Sequence, residues 1–523
     1  MRSKDKAGRR WGGLPRSRPL IVLTVVGLLL ACRNEAGSRR VHAERPATAP
    51  GSRPNLLILI GDDHGGGTLG IDGDPRQATP RLDALARRGV RFDRAYCNSP
   101  VCTASRQSLL TGRLPHAVGV TRLEDRLPDD AVTLGTWLGD LGYETAAIGK
   151  MHFNGRSRHG FAERIDLEDW RDHMRARPPQ GIGPRRPWRP FVDPAAEWLN
   201  AACRSAGLPE SAMEATFFAD KAIEFLRRQR EQPFALVVGF YEPHAPFKFP
   251  REWEGRYRPE QFDVPEVSEA DRHDQPRVFA SLTADDVRGI QAAYYTSLAF
   301  VDHEVGRILD ALDASGKAED TLVVYLGDNG YLRGQHGRFE KHCFYEPAVR
   351  VPLVFRWPGR LPEGRRIDEL VELVDVLPTV LRLFDLPQPP GLQGRDLASL
   401  LTGASGAAGR DVVFSEYLEN EEAMVRSKRY KLIVGTGNRL RKDGYQTGHP
   451  LPGPYERLYN LEADPAETTD LGGGPDLTSV RAELRRRLYE RLVSTREGLP
   501  PIPPGLSEID AIRWCLVPRE RRP

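Results

Sequence analysis

From Asn55 onward, short apolar runs alternate with longer amphipathic stretches. Residues 55–60, 145–148, 234–240 and 321–326 are apolar at nearly every position, the pattern of strands buried on both faces. Residues 79–88 and 217–228 space their apolar side chains as a helix does. The alternation predicts an α/β fold, a large, mostly parallel central sheet sandwiched by helices. A Gly/Ala/Ser-rich break over 402–409 is followed by strand patterns at 411–417, 431–434 and 456–461 and a closing helix at 479–496, a smaller C-terminal α+β subdomain. The sequence has no internal repeat.

Residues 1–32 have a different pattern. Seven basic residues, from Arg2 to Arg18, precede an apolar run over 20–31. That run is shorter than the ~20 residues a membrane-spanning helix needs, so an export signal is expected. It ends Leu29-Leu30-Ala31-Cys32, which resembles a bacterial lipoprotein cleavage box, with Leu30 bulkier than usual there. Two outcomes stay open, a membrane tether through a lipid on Cys32 or a plain N-terminal anchor. Both place the remainder outside the cytoplasm, in the periplasm or at the cell surface. Residues 33–52, polar and Pro/Ala-rich, are expected to be a flexible tether.

At 523 residues the chain exceeds the ~250–300 at which single cores stop growing. We therefore expect a large domain over 53–403 and a smaller unit over 410–523. The 75 basic and 72 acidic residues leave a net charge of +3, no uniform field for a polyanion, and no nucleic-acid partner is expected. Cys97, Cys102, Cys203, Cys343 and Cys515 lie beyond the signal, an odd number. If the others pair, the thiol left over is expected to be Cys102; their pairing is open.

Each apolar run gives way to polar residues. Residues 55–60 lead into Gly61-Asp62-Asp63, 145–148 into Gly149-Lys150 and then His152, 234–240 into His244, and 321–326 into Gly327-Asp328-Asn329. Ligands of open α/β sheets sit beyond the carboxyl ends of the strands, so four strand exits deliver these groups to one edge. Asp62, Asp63, Asp328 and Asn329 offer carboxylate and amide oxygens, which suit calcium or magnesium better than zinc. A lone Asp-Asp after a strand is commonly a turn or cap; the second strand-end Asp-Asn makes the four a candidate metal site. Cys102-Thr103-Ala104-Ser105-Arg106 opens a helix that stops at Gly112. Position 102 then stands at a helix N-terminus, where free amides stabilise anions, with Arg106 one turn on.

The run from Cys102 to Arg106, with Leu109-Leu110-Thr111-Gly112-Arg113 downstream, resembles the signature of the type I sulfatases of the alkaline phosphatase superfamily. In that family the cysteine is oxidised to formylglycine. Further segments are similar in the family's order: Pro54-Asn55 through Asp62-Asp63-His64-Gly65, Gly149-Lys150-Met151-His152, Pro243-His244-Ala245-Pro246, Gly327-Asp328-Asn329-Gly330, and Lys341 through Tyr345-Glu346 to Arg350-Val351-Pro352. Residues 458–471 are similar to the family's C-terminal segment. One position departs: Ala104 stands where the signature usually has proline, which leaves the modification of Cys102 open.

The resemblance implies an alkaline-phosphatase-like fold and a sulfuric ester hydrolase. It implies calcium, with magnesium as the alternative, held by Asp62, Asp63, Asp328, Asn329 and the formylglycine made from Cys102 by a maturation enzyme. Arg106 and His152 would orient and activate the formylglycine hydrate, Lys150 and Lys341 would neutralise sulfate oxygens, and His244 would protonate the leaving alcohol. His64, His336 and His342 receive no role. Specificity signals diverge. Residues 149–153 with His159-Gly160-Phe161 are similar to choline sulfatases and phosphonate monoesterases, whereas 241–247 and 334–350 resemble carbohydrate sulfatases. A sulfated carbohydrate is the expected substrate because a surface-tethered enzyme meets glycans; a choline-sulfatase-like or phosphonate or phosphodiester hydrolase is the alternative. A non-catalytic sulfoglycan-binding protein would have lost active-site groups, and the expected ones are present.

Overall fold

The computed structural model describes residues 53–179, 187–439, 446–496 and 498–522. The expected export signal (1–32) and tether (33–52) lie outside the described residues. Among the described residues no helix is long and apolar enough to cross a membrane.

Eight strands form the central sheet: β1 (Asn55–Gly61), β2 (Val90–Tyr96), β3 (Glu144–Gly149), β4 (Glu163–Ile165), β5 (Phe234–Gly239), β6 (Thr321–Gly327), β7 (Arg350–Arg356) and β8 (Arg365–Glu372). Their order is β4-β3-β5-β1-β6-β7-β2-β8. All neighbours are parallel except β7, which runs against both β6 and β2. The fold class expected from the apolar runs is therefore present. Leu56, Ile58 and Ile60 of β1 enter the core on one face and Leu57 and Leu59 that on the other. Fully burying each such side chain contributes roughly 1.5–3 kcal/mol.

An apolar pattern on both faces cannot fix the register of β1, since a one-residue slip would bury the same kinds of side chain. Asn55 at its start supplies polar anchors: its Oδ1 accepts from the Phe234 N–H at 3.0 Å and its Nδ2 donates to the Asp320 carbonyl at 3.5 Å. Helices Glu214–Arg227 and Ala284–Ala314 cover one face. The opposite core includes Ala104, Leu109 and Leu110 of the wholly buried helix Cys102–Thr111.

A second, antiparallel sheet, in the order β12-β11-β10-β9, comprises β9 (Val412–Tyr417), β10 (Glu422–Ser427), β11 (Tyr430–Gly435) and β12 (Tyr455–Asn460). Its outer face buries Val425, Leu432 and Leu458 against Leu484, Leu488 and Leu492 of helix Thr478–Ser494 and Ile512 of helix Glu508–Leu516. Residues Ser52–Pro523 make one compact unit. The small sheet is tied in through polar contacts: the Glu416 N–H donates to Asn98 O at 3.0 Å, and His116 bridges Glu416 and Thr495 at 2.8 and 2.9 Å. Cys102, the cysteine expected to be left over, is an unpaired thiol, and so are Cys97, Cys203, Cys343 and Cys515, whose pairing the sequence left open.

Candidate active site

Strands β3, β5, β1 and β6 lie side by side and point the same way, so their carboxyl ends open on one edge. Asp62 and Asp63 follow β1, Lys150 and His152 follow β3, His244 follows β5, and Asp328 and Asn329 follow β6. Lys341 comes from the connection between β6 and β7. Asp63 (φ 61°) and His152 (φ 58°) take left-handed backbone conformations that non-glycine residues seldom adopt. The sharp turns redirect the chain immediately after each strand.

Cys102 is the first residue of its helix. Val101 at the N-cap offers no side-chain hydrogen bond, and Gly112, in the left-handed region at φ 64°, closes the other end. The Cys102 sulfur and one carboxylate oxygen each from Asp62 and Asp328 lie within 4.8 Å of one another. Lys341 Nζ approaches the sulfur at 3.7 Å.

Each carboxylate here faces a cation. Lys150 donates to Asp62, Lys341 donates to Asp63 at 2.5 Å, and Arg106 Nε donates to Asp328 at 2.7 Å. Arg106 also donates to the Lys150 carbonyl, and Asn329 Nδ2 donates to Asp63 at 2.7 Å. Among the described residues, Asp62 Oδ1, Asp63 Oδ2 and Asn329 Oδ1 remain buried without a hydrogen-bond partner. Orphaned acceptors cost free energy in a protein interior unless something satisfies them. Convergent carboxylate and amide oxygens fit a hard divalent cation.

Burial opposes ionisation of Asp62, but Lys150 and His244 outweigh it and hold the carboxyl below its usual range. Burial pushes the Cys102 thiol up in spite of Lys150 and Lys341, so the unmodified sulfur stays protonated at neutral pH and is a weak nucleophile. Burial, then Lys150, Arg106 and Lys341, drive His152 well below its usual value; it is neutral, with Nδ1 3.2 Å from Thr103 Oγ1. His244 is lowered by burial and then by Lys341. Its Nδ1 lies 2.7 Å from the Ala245 carbonyl and its Nε2 3.8 Å from Asp63.

Residues 54–386 match the sequence profile of the sulfatase family. The chain belongs to the sulfatase family. It is a sulfuric ester hydrolase on the alkaline-phosphatase-like fold. Residues 334–494 also match the C-terminal profile of N-sulphoglucosamine sulphohydrolase. Among curated relatives, an arylsulfatase of Clostridium perfringens is 28% identical, the match covering 85% of this chain and 96% of that one. A choline-sulfatase of Rhizobium meliloti is 29% identical over 89% of this chain and 91% of its own. The phosphonate monoester hydrolase of Agrobacterium radiobacter shares the fold, with a TM-score of 0.73 and 24% identity over 85% of this chain and 96% of that one.

The sulfatase's site opens into a cavity of about 710 Å³ walled by Trp188, Phe191, Trp198, Tyr241 and Tyr331, with Cys102 among the lining residues. Several residues of this region escaped the sequence. Gln107 donates to the Met151 and His152 carbonyls at 2.9 and 3.0 Å, holding the turn after β3 against the Cys102 helix. Lys150 Nζ stands 5.4 Å from the centre of the Tyr241 ring. An amide inside a wholly buried helix is a readable signal for Gln107; Trp188, far from any motif, had none. Of the unassigned histidines, His64 is buried between Tyr325 and Thr68 at 2.6 and 2.8 Å and His336 pairs with Asp271 at 2.8 Å, both structural, while His342 lines the cavity.

Proposed function

We propose that this sulfatase is exported and hydrolyses sulfate esters of carbohydrates, using formylglycine made from Cys102 and a calcium ion. The supporting observation is the surroundings of Cys102. Its sulfur stands at an uncapped helix N-terminus, beside Lys341 and among carboxylates that retain unsatisfied oxygens. Calcium held by Asp62, Asp63, Asp328, Asn329 and residue 102 supplies a Lewis acid, and formylglycine, once made by a maturation enzyme, supplies a hydrated aldehyde as nucleophile.

The chain's own side chains then divide the work. Lys150 and Lys341 place ammonium groups where charge develops on the sulfate oxygens, and preorganised charges of this kind commonly form the largest catalytic term. Arg106 holds Asp328 and the Lys150 backbone, which fixes two sides of the site at once. His152, neutral and beside Thr103, orients and activates the nucleophile. His244, with Nδ1–H donated to Ala245, delivers the proton to the leaving alcohol from Nε2.

A carbohydrate substrate is supported by the C-terminal profile, named for N-sulphoglucosamine sulphohydrolase, and by a cavity in the ~300–1,000 Å³ range of small-molecule sites. Export rests on residues 1–32. The test is mass spectrometry of the position-102 peptide from protein made with a matched maturation system. A deficit of ~18 Da relative to cysteine is expected, with turnover of 4-nitrophenyl sulfate well above that of 4-nitrophenyl phosphate and phenylphosphonate esters. An unmodified cysteine in active enzyme overturns the formylglycine assignment. A preference for choline sulfate over sulfated sugars overturns the carbohydrate assignment.

A further inference from the structure

The catalytic cavity does not end at the reacting groups. A second hollow of about 1140 Å³ adjoins it, and both are lined by Trp188, Trp198, Pro246 and Lys248. Trp188 stands at this seam. Of the four shared residues it is the large apolar one that remains 46% exposed. Its Nε1 donates to the Trp198 carbonyl at 3.2 Å, and its ring meets that of His244 edge-on with centroids 6.0 Å apart. An indole held by its own polar atom beside the proton donor, with its apolar surface in solvent, provides a stacking surface for a group attached to the leaving alcohol.

The charges around the second hollow are largely paired. Arg189 binds Asp193 at 2.6 Å, Arg288 binds Asp285 at 2.9 Å, and Lys248 binds Glu214 at 2.7 Å. Paired charges leave hydrogen-bonding capacity without a net cationic field, so this hollow favours hydroxyl-rich neutral groups over a second sulfate. The sulfate end differs, with Arg106, Lys150 and Lys341 gathered around residue 102.

We propose that the second hollow is a sugar-binding subsite, with Trp188 as its stacking face, that accepts the sugar next to the sulfated unit. The preferred substrates are then sulfated oligosaccharides, not sulfated monosaccharides or choline sulfate. This rests on the first cavity being the sulfate-ester site.

The test compares kcat/KM of the matured enzyme on three probe sets: 4-nitrophenyl sulfate, the 6-sulfates of N-acetylglucosamine and galactose, and size-fractionated di- and tetrasaccharides of keratan sulfate, in which the sugar next to a sulfated N-acetylglucosamine is a galactose without a carboxylate. We expect oligosaccharides to exceed monosaccharides by about tenfold. Trp188→Ala, which removes the stacking face, and Ala202→Trp, which fills the hollow from an exposed position, should each bring that ratio close to one. An unchanged ratio in both variants, a wild-type ratio near one, or cleavage of 4-nitrophenyl sulfate with no glycan turned over overturns the subsite. Absence of turnover on all three probe sets by the matured wild-type enzyme overturns instead the site assignment beneath it.

Discussion

The Nε of Arg106 donates to Oδ2 of Asp328 at 2.7 Å, and neither side chain is exposed to solvent. Removing one member of such a pair strands the other charge in the interior, at a cost of roughly 3–5 kcal/mol. Asp328→Asn is therefore expected to lower the denaturation midpoint and to reduce kcat/KM by at least about a hundredfold, equivalent to ~2.7 kcal/mol. Urea titration and initial rates check this together; a variant with wild-type stability and wild-type turnover contradicts the role given to the pair.

The unsatisfied oxygens of Asp62, Asp63 and Asn329 bear on metal dependence. A cation that binds only the folded chain stabilises it by about 2.7 kcal/mol at a hundredfold excess over Kd. Dialysis against a calcium chelator should lower the thermal midpoint and abolish turnover, and added calcium should restore both. Asp63→Asn is expected to blunt the calcium response of the midpoint. Melting curves that superimpose with and without calcium would falsify the assignment of these oxygens to a metal.

Gly239 ends β5 where Lys150 and Arg106 cross it. A Cβ there would lie 2.2 Å from the Lys150 carbonyl and 2.7 Å from Arg106 Nη1, closer than real contacts permit. Gly239→Ala must displace backbone as well as side chain, with an overpacking cost of roughly 1–3 kcal/mol. The expected result is a soluble protein whose kcat falls more steeply than its stability. Wild-type kcat in this variant would show that the approach of Lys150 and Arg106 is not needed for turnover.

Asp302 lies away from the site and reports on stability. Its carboxylate accepts the N–H groups of Arg81 and Leu82 at 3.0 and 2.8 Å, and burial pushes its pKa up to about 7 despite those donors. Between the unfolded value of ~3.9 and the folded one, the native state holds the extra proton, so this group's contribution to stability falls as pH rises. Below ~4 and above ~7 the contribution is flat. Relative to Asp302→Asn, the wild type should lose stability steadily across that window, by a few kcal/mol in all. The check is the difference in denaturation free energy at intervals from pH 4 to 8; a constant difference refutes it.

The strands most legible in the sequence were those buried on both faces. β1, β3, β5 and β6 are continuous apolar runs, and the polar residues at their ends meet at one edge as expected. β2 and β8 were missed because charged residues interrupt them: Arg91, Asp93 and Arg94 in one, Arg365, Arg366, Asp368 and Glu369 in the other. Helix Ala284–Ala314 was missed for the opposite reason. From Gly289 to Val305 nearly every side chain is buried, so no single apolar stripe marks it. Asp62, Asp63 and Asp328 could be found because they come directly after strands. Lys341, which sits on a long connection, could be found only through resemblance, and the aromatic wall at Trp188 obeys no local pattern at all.

Because β7 runs against β6, the chain that leaves the sheet at Gly327 re-enters it at Arg350 on the same side. A connection between parallel neighbours must instead travel to the far side of the sheet before returning. The stretch 328–349 is spared that journey. It carries Asp328 and Asn329 at its start and Lys341 further on, and its length can change without reordering the strands. For protein engineers this is the interval in which new reaction partners could be accommodated by grafting, while the scaffold beneath keeps its wiring.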